Sequence, residues 1–202
     1  MTAEEQALQL TQAEVFFLVR RDFLAWRLPS PGWLESNADE AEALGFQTLV
    51  ARGLIEPTED GVRFAEPLSA IVERLTHCRI AWQIAVAPRG ADGGVSGAVT
   101  FGLPDDGGAA PSLVLTPVLT YIAGLGPLDA MWEIGRGTAE TALTAESGQA
   151  VFTRLDLPSA ARVSVVVGSG SVRIGEGAAV AVGDWDQLVQ TAQRELPDFG
   201  QQ

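Results

Sequence analysis

Hydrophobic positions in the first part of the chain recur every three or four residues, the spacing of amphipathic helices. Thr11 and Glu14 form a capping-box pattern ahead of the first such run, and Pro29 and Pro31 follow its end. An Asp-Gly pair at 60–61 marks a tight turn between two short apolar segments. The predicted elements are helices over 11–26, 37–52 and 66–75 and a hairpin over 54–64.

After residue 77 the hydrophobic period changes from about 3.6 to about 2, which is typical of strands. Turns rich in Gly and Asp separate the first segments, so an antiparallel arrangement is expected. The predicted strands cover 78–87, 95–103, 112–121, 152–157, 161–168 and 178–182. Two short helices over 127–134 and 138–145, a glycine-flanked turn over 170–177 and a closing helix over 184–196 complete the prediction.

Together these patterns predict an α/β fold of the α+β kind. It has winged-helix-like N-terminal helices with a short hairpin, then a mainly antiparallel β-sheet with a C-terminal helix. Residues 1–77 are predicted to form the winged-helix-like segment, and residues 78–202 the sheet-rich segment. The two are expected to pack as one globular unit, since no low-complexity linker separates them.

Charge argues against nucleic acid as a partner. The chain of 202 residues carries 26 acidic residues against 13 arginines and no lysine, so its net charge is -13 and its pI is near 4.4. Such a chain repels phosphate backbones. The predicted helix over 37–52 has three acidic residues near its start and only Arg52 as a base. Arg20, Arg21 and Arg27 form a local cluster, interpreted as surface ion pairing with neighbouring acids.

Residues that carry chemistry are scarce. His77 and Cys78 are the only histidine and cysteine, so zinc binding is not expected. Neighbours in an extended segment point to opposite faces, which also disfavours a thiol–imidazole pair. The glycine runs at 135–137 and 168–170 match no phosphate-binding fingerprint and are interpreted as turns. No cofactor, no metal and no enzymatic activity are therefore expected.

The uncharged stretch 107–128 is 22 residues long, the length of a membrane span. It contains Pro111, Pro117 and Pro127, which would break a lone helix in lipid. The sequence therefore predicts a buried strand followed by a turn, and a soluble, cytoplasmic protein.

Trp33 stands in a predicted Pro-Gly-Trp-Leu turn between the first two predicted helices. In that position it either packs as a hydrophobic staple or is exposed as the anchor of a protein interface. The sequence leaves both interpretations open.

A series of motifs surrounds the predicted hairpin. Residues 43–55 read ALGFQTLVARGLI, the Asp-Gly turn follows, and Pro67-Leu68-Ser69-Ala70-Ile71 opens the next helix ahead of the strands. This order resembles the EspG family, the cytosolic chaperones of actinobacterial type VII secretion, over residues 11–87. The resemblance implies a central antiparallel sheet flanked by helices, and a role in binding secreted helical PE-PPE pairs and keeping them soluble. A candidate contact would be the loop 104–110, with Asp105 and Asp106 as exposed acids.

The expected function is a non-enzymatic protein-binding module and candidate secretion chaperone, with a PE-PPE-type helical pair as the implied partner. A homodimer is also compatible with the sequence. The partner-binding candidates are Asp105, Asp106 and Trp33. The alternative is a transcription regulator with a winged-helix domain and a ligand-sensing β domain, which a basic face on the second predicted helix would indicate. A third possibility is an enzyme whose carboxylate or backbone-amide site leaves no motif in the sequence.

Overall fold

The secondary structure combines helices with a large antiparallel sheet. A computed structural model of the chain describes residues 7–24, 32–88, 97–104, 107–116, 120–144, 148–155, 164–197 and 199. Within these residues the helices are α1 Gln12–Arg20, α2 Gly32–Ser36, α3 Ala38–Ala51, α4 Leu68–Thr76, α5 Leu128–Thr144 and α6 Trp185–Gln193. The strands are β1 Leu8–Leu10, β2 Ile55–Thr58, β3 Gly61–Phe64, β4 Cys78–Pro88, β5 Gly97–Pro104, β6 Ala110–Leu115, β7 Tyr121–Gly126, β8 Gly148–Arg154, β9 Ser164–Gly168, β10 Ser171–Ile174 and β11 Val180–Ala181.

Among the described strands, nine form one sheet in the order β1-β7-β6-β5-β4-β8-β9-β10-β11, and β2 and β3 form a separate hairpin. The predicted fold class is confirmed: N-terminal helices and a short hairpin precede a large antiparallel sheet, and a helix lies near the C-terminus.

The chain divides into two compact units. Unit 1 comprises Met1–Arg79 and Gly102–Gly126, and unit 2 comprises Ile80–Phe101 and Pro127–Gln202. The helices α1 to α4, the hairpin and β1, β6 and β7 belong to unit 1, whereas α5, α6 and β8 to β11 belong to unit 2. The sequence-based division into residues 1–77 and 78–202, packed together, stays a prediction.

The first helix begins as predicted and ends earlier. Thr11 caps α1: its hydroxyl accepts from the Glu14 amide at 3.2 Å, and the Glu14 carboxylate accepts from the Thr11 amide at 2.7 Å. The predicted end at residue 26 is wrong, because α1 stops at Arg20. Asp22 takes a left-handed conformation with φ 56°, and the amides of Phe23 and Leu24 turn back to the Leu18 carbonyl. These bonds satisfy the Leu18 carbonyl, one of those left without a partner inside the helix at its end.

A short helix, α2, replaces the predicted turn around Trp33. The backbone of Trp33 lies in α2, but its side chain is outside the part of the chain that the structure describes. The end of α3 agrees with the prediction. Gly53 has φ 67°, and the Leu54 amide donates to the Leu49 carbonyl at 2.9 Å, so glycine supplies the left-handed cap.

Gly45 allows α1 and α3 to pack at close range. It is buried, and a Cβ at this position would collide with the Ala13 carbonyl group and lie 2.9 Å from the Phe17 Cβ. Because the obstacle is helix backbone, it could not move aside without separating the two helices. Glycine is unfavourable inside a helix, yet Gly45 is the residue at which α3 approaches the backbone of α1.

In unit 1 the predicted single strand over 112–121 is wrong. The segment instead contributes to two antiparallel strands, β6 and β7, which pair from Ala110 opposite Gly126 to Leu115 opposite Tyr121. The Thr116 amide donates to the Thr120 carbonyl at 2.8 Å where the strands meet. Pro117 follows β6, and proline cannot donate to a strand ladder. β1, which was not predicted, pairs with the other edge of β7.

In unit 2 the two short helices predicted over 127–134 and 138–145 are wrong, because α5 runs unbroken through Gly135 and Gly137. Gly135 is buried, and a Cβ there would lie 2.5 Å from the Ile84 side chain. Gly137 has open space around it. Packing of α5 on β4 and β8 therefore overrides the local preference of glycine for turns.

The C-terminal part of unit 2 forms another hairpin and the closing helix. The turn between β9 and β10 has positive φ at both central residues, 49° at Ser169 and 73° at Gly170, which matches the twist of a two-residue hairpin. The predicted turn over 170–177 is corrected, since residues 171–174 form β10. Asp184 caps α6 by accepting from the Gln187 amide at 2.9 Å, which confirms the predicted helix start.

Aromatic rings fill the core of unit 2. Phe199 contacts Trp82, Trp132 and Phe152 with ring centroids 5.3–5.6 Å apart and steep interplanar angles. Trp132 also packs edge-on against Phe101 at 5.2 Å. Such edge-to-face pairs contribute beyond the burial of their area, so this cluster ties α5 and the C-terminal segment to the sheet.

We expect Gly45→Ala to lower the free energy of unfolding by about 3 kcal/mol, because the added methyl group forces α1 and α3 apart. The matched change Gly137→Ala should raise it by about 0.5–1 kcal/mol, since alanine fits an open helical position and restricts the unfolded chain. Urea unfolding followed by circular dichroism measures both. A loss of stability in Gly137→Ala would contradict a continuous α5.

Burial of Tyr121, the only tyrosine, raises its pKa from 10.0 to about 12. Between these two pH values the unfolded chain releases a proton that the folded chain keeps, so the free energy of unfolding falls as pH rises, by about 1.4 kcal/mol per unit. A native spectrophotometric titration should show no phenolate near pH 10. Phenolate absorbance at that pH in a chain with native circular dichroism would contradict this prediction.

Candidate protein-binding cleft

Four phenylalanines from distant parts of the sequence meet in unit 1. Phe17 of α1 lies 5.9 Å from Phe23 and 5.6 Å from Phe46 of α3, measured between ring centroids. Phe23 also packs edge-on against Phe64 of β3 at 5.0 Å. We call Phe17, Phe23, Phe46 and Phe64 the phenylalanine cluster; it joins α1, α3 and the hairpin.

A cleft of about 560 Å³ opens beside the phenylalanine cluster. Its volume falls in the range of sites that hold small ligands or the anchoring side chains of a partner. Three groups of residues line it: the rings of Phe17, Phe23 and Phe46; the small or aliphatic residues Ala43, Gly61 and Val62; and the charged residues Arg21, Asp39 and Glu42. The cleft therefore has an apolar floor and a charged margin.

Ion pairs organise the charged margin. Glu42, which is 15% exposed, accepts from the Arg21 Nε at 2.5 Å and from the Arg20 Nε at 2.9 Å. Arg20 also donates to Asp39 at 2.8 Å. The predicted surface ion pairing is thus confirmed for Arg20 and Arg21, whereas Arg27 lies outside the described residues.

Further acids adjoin the lining residues in sequence and form no ion pair within the described residues. They are Asp22 after α1, Glu40 on α3, and Glu59 and Asp60 in the turn of the hairpin, and all four are exposed. With Asp39 and Glu42, six acidic residues face two arginines, a net charge of -4 around the cleft. We call these eight residues the acidic rim.

Arg52, the only basic residue of the second predicted helix, forms an ion pair with Glu14 inside the protein. Arg52 donates to both carboxylate oxygens of Glu14, at 2.9 and 2.7 Å, and to the Gln9 carbonyl at 2.8 Å. The Glu14 side chain is 0% exposed, so its charge needs this partner. The helix α3 itself contains no lysine or arginine that could contact a DNA phosphate or the edge of a nucleobase.

The structure does not test the residues predicted to bind a partner. Asp105 and Asp106 lie outside the described residues, as does the Trp33 side chain. No pattern in the sequence predicts the cleft. Three of the eight phenylalanines, Phe17, Phe23 and Phe46, line it, and no local pattern in the sequence predicts that they meet.

The side chains of His77 and Cys78 contact different backbone carbonyls. The His77 Nδ1 lies 2.8 Å from the Glu73 carbonyl, and the Cys78 Sγ lies 3.0 Å from the Arg74 carbonyl. Cys78 is half-buried at the start of β4. In the described part of the chain no three residues of the metal-binding types come close enough to hold an ion.

Among the described residues of unit 2, two further depressions occur, and neither combines an aromatic floor with converging charges. One, of about 500 Å³, is lined by β10, β11 and α6 and has Arg194 and Glu195 at its margin. The other, of about 410 Å³, runs along α5 and has Glu133 as its charged residue. The cleft in unit 1 is therefore the stronger candidate for recognition.

Comparison with known proteins adds no assignment. No family model matches the chain, and no curated protein matches its sequence. Among the described helices none is both long enough and apolar enough to cross a membrane.

We expect Arg52→Ala to lower the free energy of unfolding by about 3 kcal/mol, because it leaves the buried Glu14 carboxylate without its counter-ion. Arg63→Ala is the matched control: Arg63 pairs with Glu56 on the surface, where both side chains are about two-thirds exposed, so its loss should cost less than about 0.5 kcal/mol. Chemical denaturation of both variants measures the difference. Equal costs would show that the Glu14–Arg52 pair is no stronger than a surface pair.

Proposed function

We propose that the protein is a non-enzymatic protein-binding module that acts as a cytoplasmic chaperone for helical substrates of type VII secretion. The observation that carries the proposal is the cleft of unit 1, where an apolar floor lies open beside the acidic rim. Apolar surface that stays accessible in a folded unit is characteristic of protein interaction sites.

Electrostatics supports a protein rather than a nucleic acid as the partner. α3 begins with Asp39 and Glu40, and Arg52 at its end is bonded to Glu14. A recognition helix needs cations at its flanks to contact the phosphates, and α3 itself contains no lysine or arginine. With a net charge of -13, the whole chain would add long-range repulsion.

The choice of a helical secreted partner is supported by the EspG-like order of motifs over residues 11–87. Two elements of that order have their expected form: the helix α3, ending at the Ala-Arg-Gly-Leu segment, and the hairpin of β2 and β3. The large antiparallel sheet and C-terminal helix agree with the architecture that the resemblance implies.

A transcription regulator is the second candidate, because α1, α3 and the β2–β3 hairpin follow one another in the order of a winged helix. In this alternative the wing would be the turn at Glu59 and Asp60, which are both acidic and exposed. The same residues that favour the chaperone proposal therefore count against DNA binding.

The test is co-expression of the full chain with a PE-PPE-type helical pair from the same genome, followed by size-exclusion chromatography. We expect a stable complex, and no excess absorbance of nucleic acid. Asp105→Ala with Asp106→Ala should weaken the complex, whereas the matched pair Glu73→Ala with Glu176→Ala should not. A chain that elutes alone with every pair tested, or that retains DNA, would overturn the proposal.

A further inference from the structure

We infer that the cleft of unit 1 docks one amphipathic helix of a partner protein, which places apolar side chains on the phenylalanine cluster and lysine or arginine on the acidic rim. This inference rests on the proposed function and adds to it a binding site, a binding mode and the charge of the partner. It makes Ala43 and the hairpin turn the determinants of recognition.

The shape of the surface argues for a helix. Ala43, Phe46 and Val50 stand at i, i+3 and i+7 on α3 and form a row about 10 Å long. Ala43 and Val50 are exposed, and Phe46 is partly so. A partner helix presents its apolar side chains at the same spacing, so it can pack along such a row with one large side chain in the cleft.

The charges argue for a basic partner. Arg20 and Arg21 are already bonded to Asp39 and Glu42, while Glu40, Glu59 and Asp60 form no ion pair within the described residues. Asp39 keeps 95% of its side chain exposed and can accept a second cation. Because the acids belong to α3 and to the hairpin turn, and both of these elements contribute to the lining of the cleft, a helix with basic flanks would be complementary in both charge and polarity.

The same charges disfavour a second copy of this chain. Each copy has a net charge of -13, so two copies repel one another, most strongly where two acidic rims would meet. Like charges brought together at an interface cost binding free energy, which makes this occupant the less favourable one. Self-association through the cleft is therefore tested as the competing outcome.

The probe is a fluorescein-labelled amphipathic peptide of about 18 residues, long enough to present several helical turns, with leucine on one face and lysine on the other. One control peptide replaces lysine with glutamate, and another replaces leucine with alanine. Fluorescence anisotropy with the full-length protein gives each Kd. We expect measurable binding by the leucine–lysine peptide alone.

Variants of α3 separate docking in the cleft from general attraction between opposite charges. Ala43→Arg places a long cationic side chain at the cleft, and Ala51→Arg adds the same charge at an exposed position of α3 outside the cleft. We expect Ala43→Arg to raise the Kd about tenfold and Ala51→Arg to change it less than about twofold. Equal effects of the two variants, or equal binding of the alanine peptide, would overturn the inference.

A second pair of variants tests the acidic rim without altering the apolar floor. Glu59→Gln with Asp60→Asn removes two charges from the hairpin turn, and Asn-Gly remains compatible with that turn. Glu73→Gln with Glu176→Gln removes two exposed charges elsewhere. Only the first pair should weaken binding and reduce its dependence on salt. Equal weakening by both pairs would show that net charge alone attracts the peptide.

Two further measurements distinguish the failure of this inference from that of the proposed function. If the helical pair binds the Ala43→Arg and Ala51→Arg variants equally well, the chaperone proposal stands and the cleft is not its site. If the leucine–lysine peptide shows the expected dependence on Ala43 but no secreted pair binds, the docking site stands and the chaperone proposal fails. A dimer in sedimentation that Ala43→Arg dissociates would assign the cleft to a second copy and overturn the inference.

Discussion

The burial of one carboxylate constrains how the N-terminal part of unit 1 can pack. Glu14 has no exposed side-chain surface, so its charge must be neutralised and hydrogen-bonded inside the fold. The Thr11 amide and the Arg52 guanidinium do this, and Arg52 also reaches the Gln9 carbonyl. One carboxylate thereby links the end of β1, the start of α1 and the end of α3, segments separated by about forty residues.

The cleft is a consequence of that arrangement. With the start of α1 held to the end of α3 and Gly45 permitting a close approach between them, Phe17 is brought against Phe46. The hairpin then supplies Phe64 to the same cluster through Phe23. Because the residues around this apolar floor are mostly acidic, the surface combines accessible hydrophobic area with a negative field, a combination suited to a basic amphipathic segment and unsuited to phosphate.

Where sequence and structure differ, the difference follows from packing that lies beyond the local window. Gly135 and Gly137 have the local chemistry of a turn, yet contacts of α5 with Ile84 and Phe152 hold the helix through them. Conversely, residues 112–121 have the alternation of one strand, but they contribute to two antiparallel strands, which are joined where Thr116 bonds to the Thr120 carbonyl. The capping box at Thr11, the cap at Gly53 and the helix start at Asp184 were predictable because each is a bond between residues close in sequence.

The sequence by itself determined the fold class, the overall acidity and the scarcity of catalytic or metal-binding residues, since these depend on periodicity and on counting. Only the tertiary structure decided that Arg52 pairs with a buried carboxylate, and that Phe17, Phe23 and Phe46 line one cleft. The physical reason is the same in both cases. Contacts between residues far apart in sequence depend on how the helices and strands pack together, and a local sequence pattern carries no information about that packing.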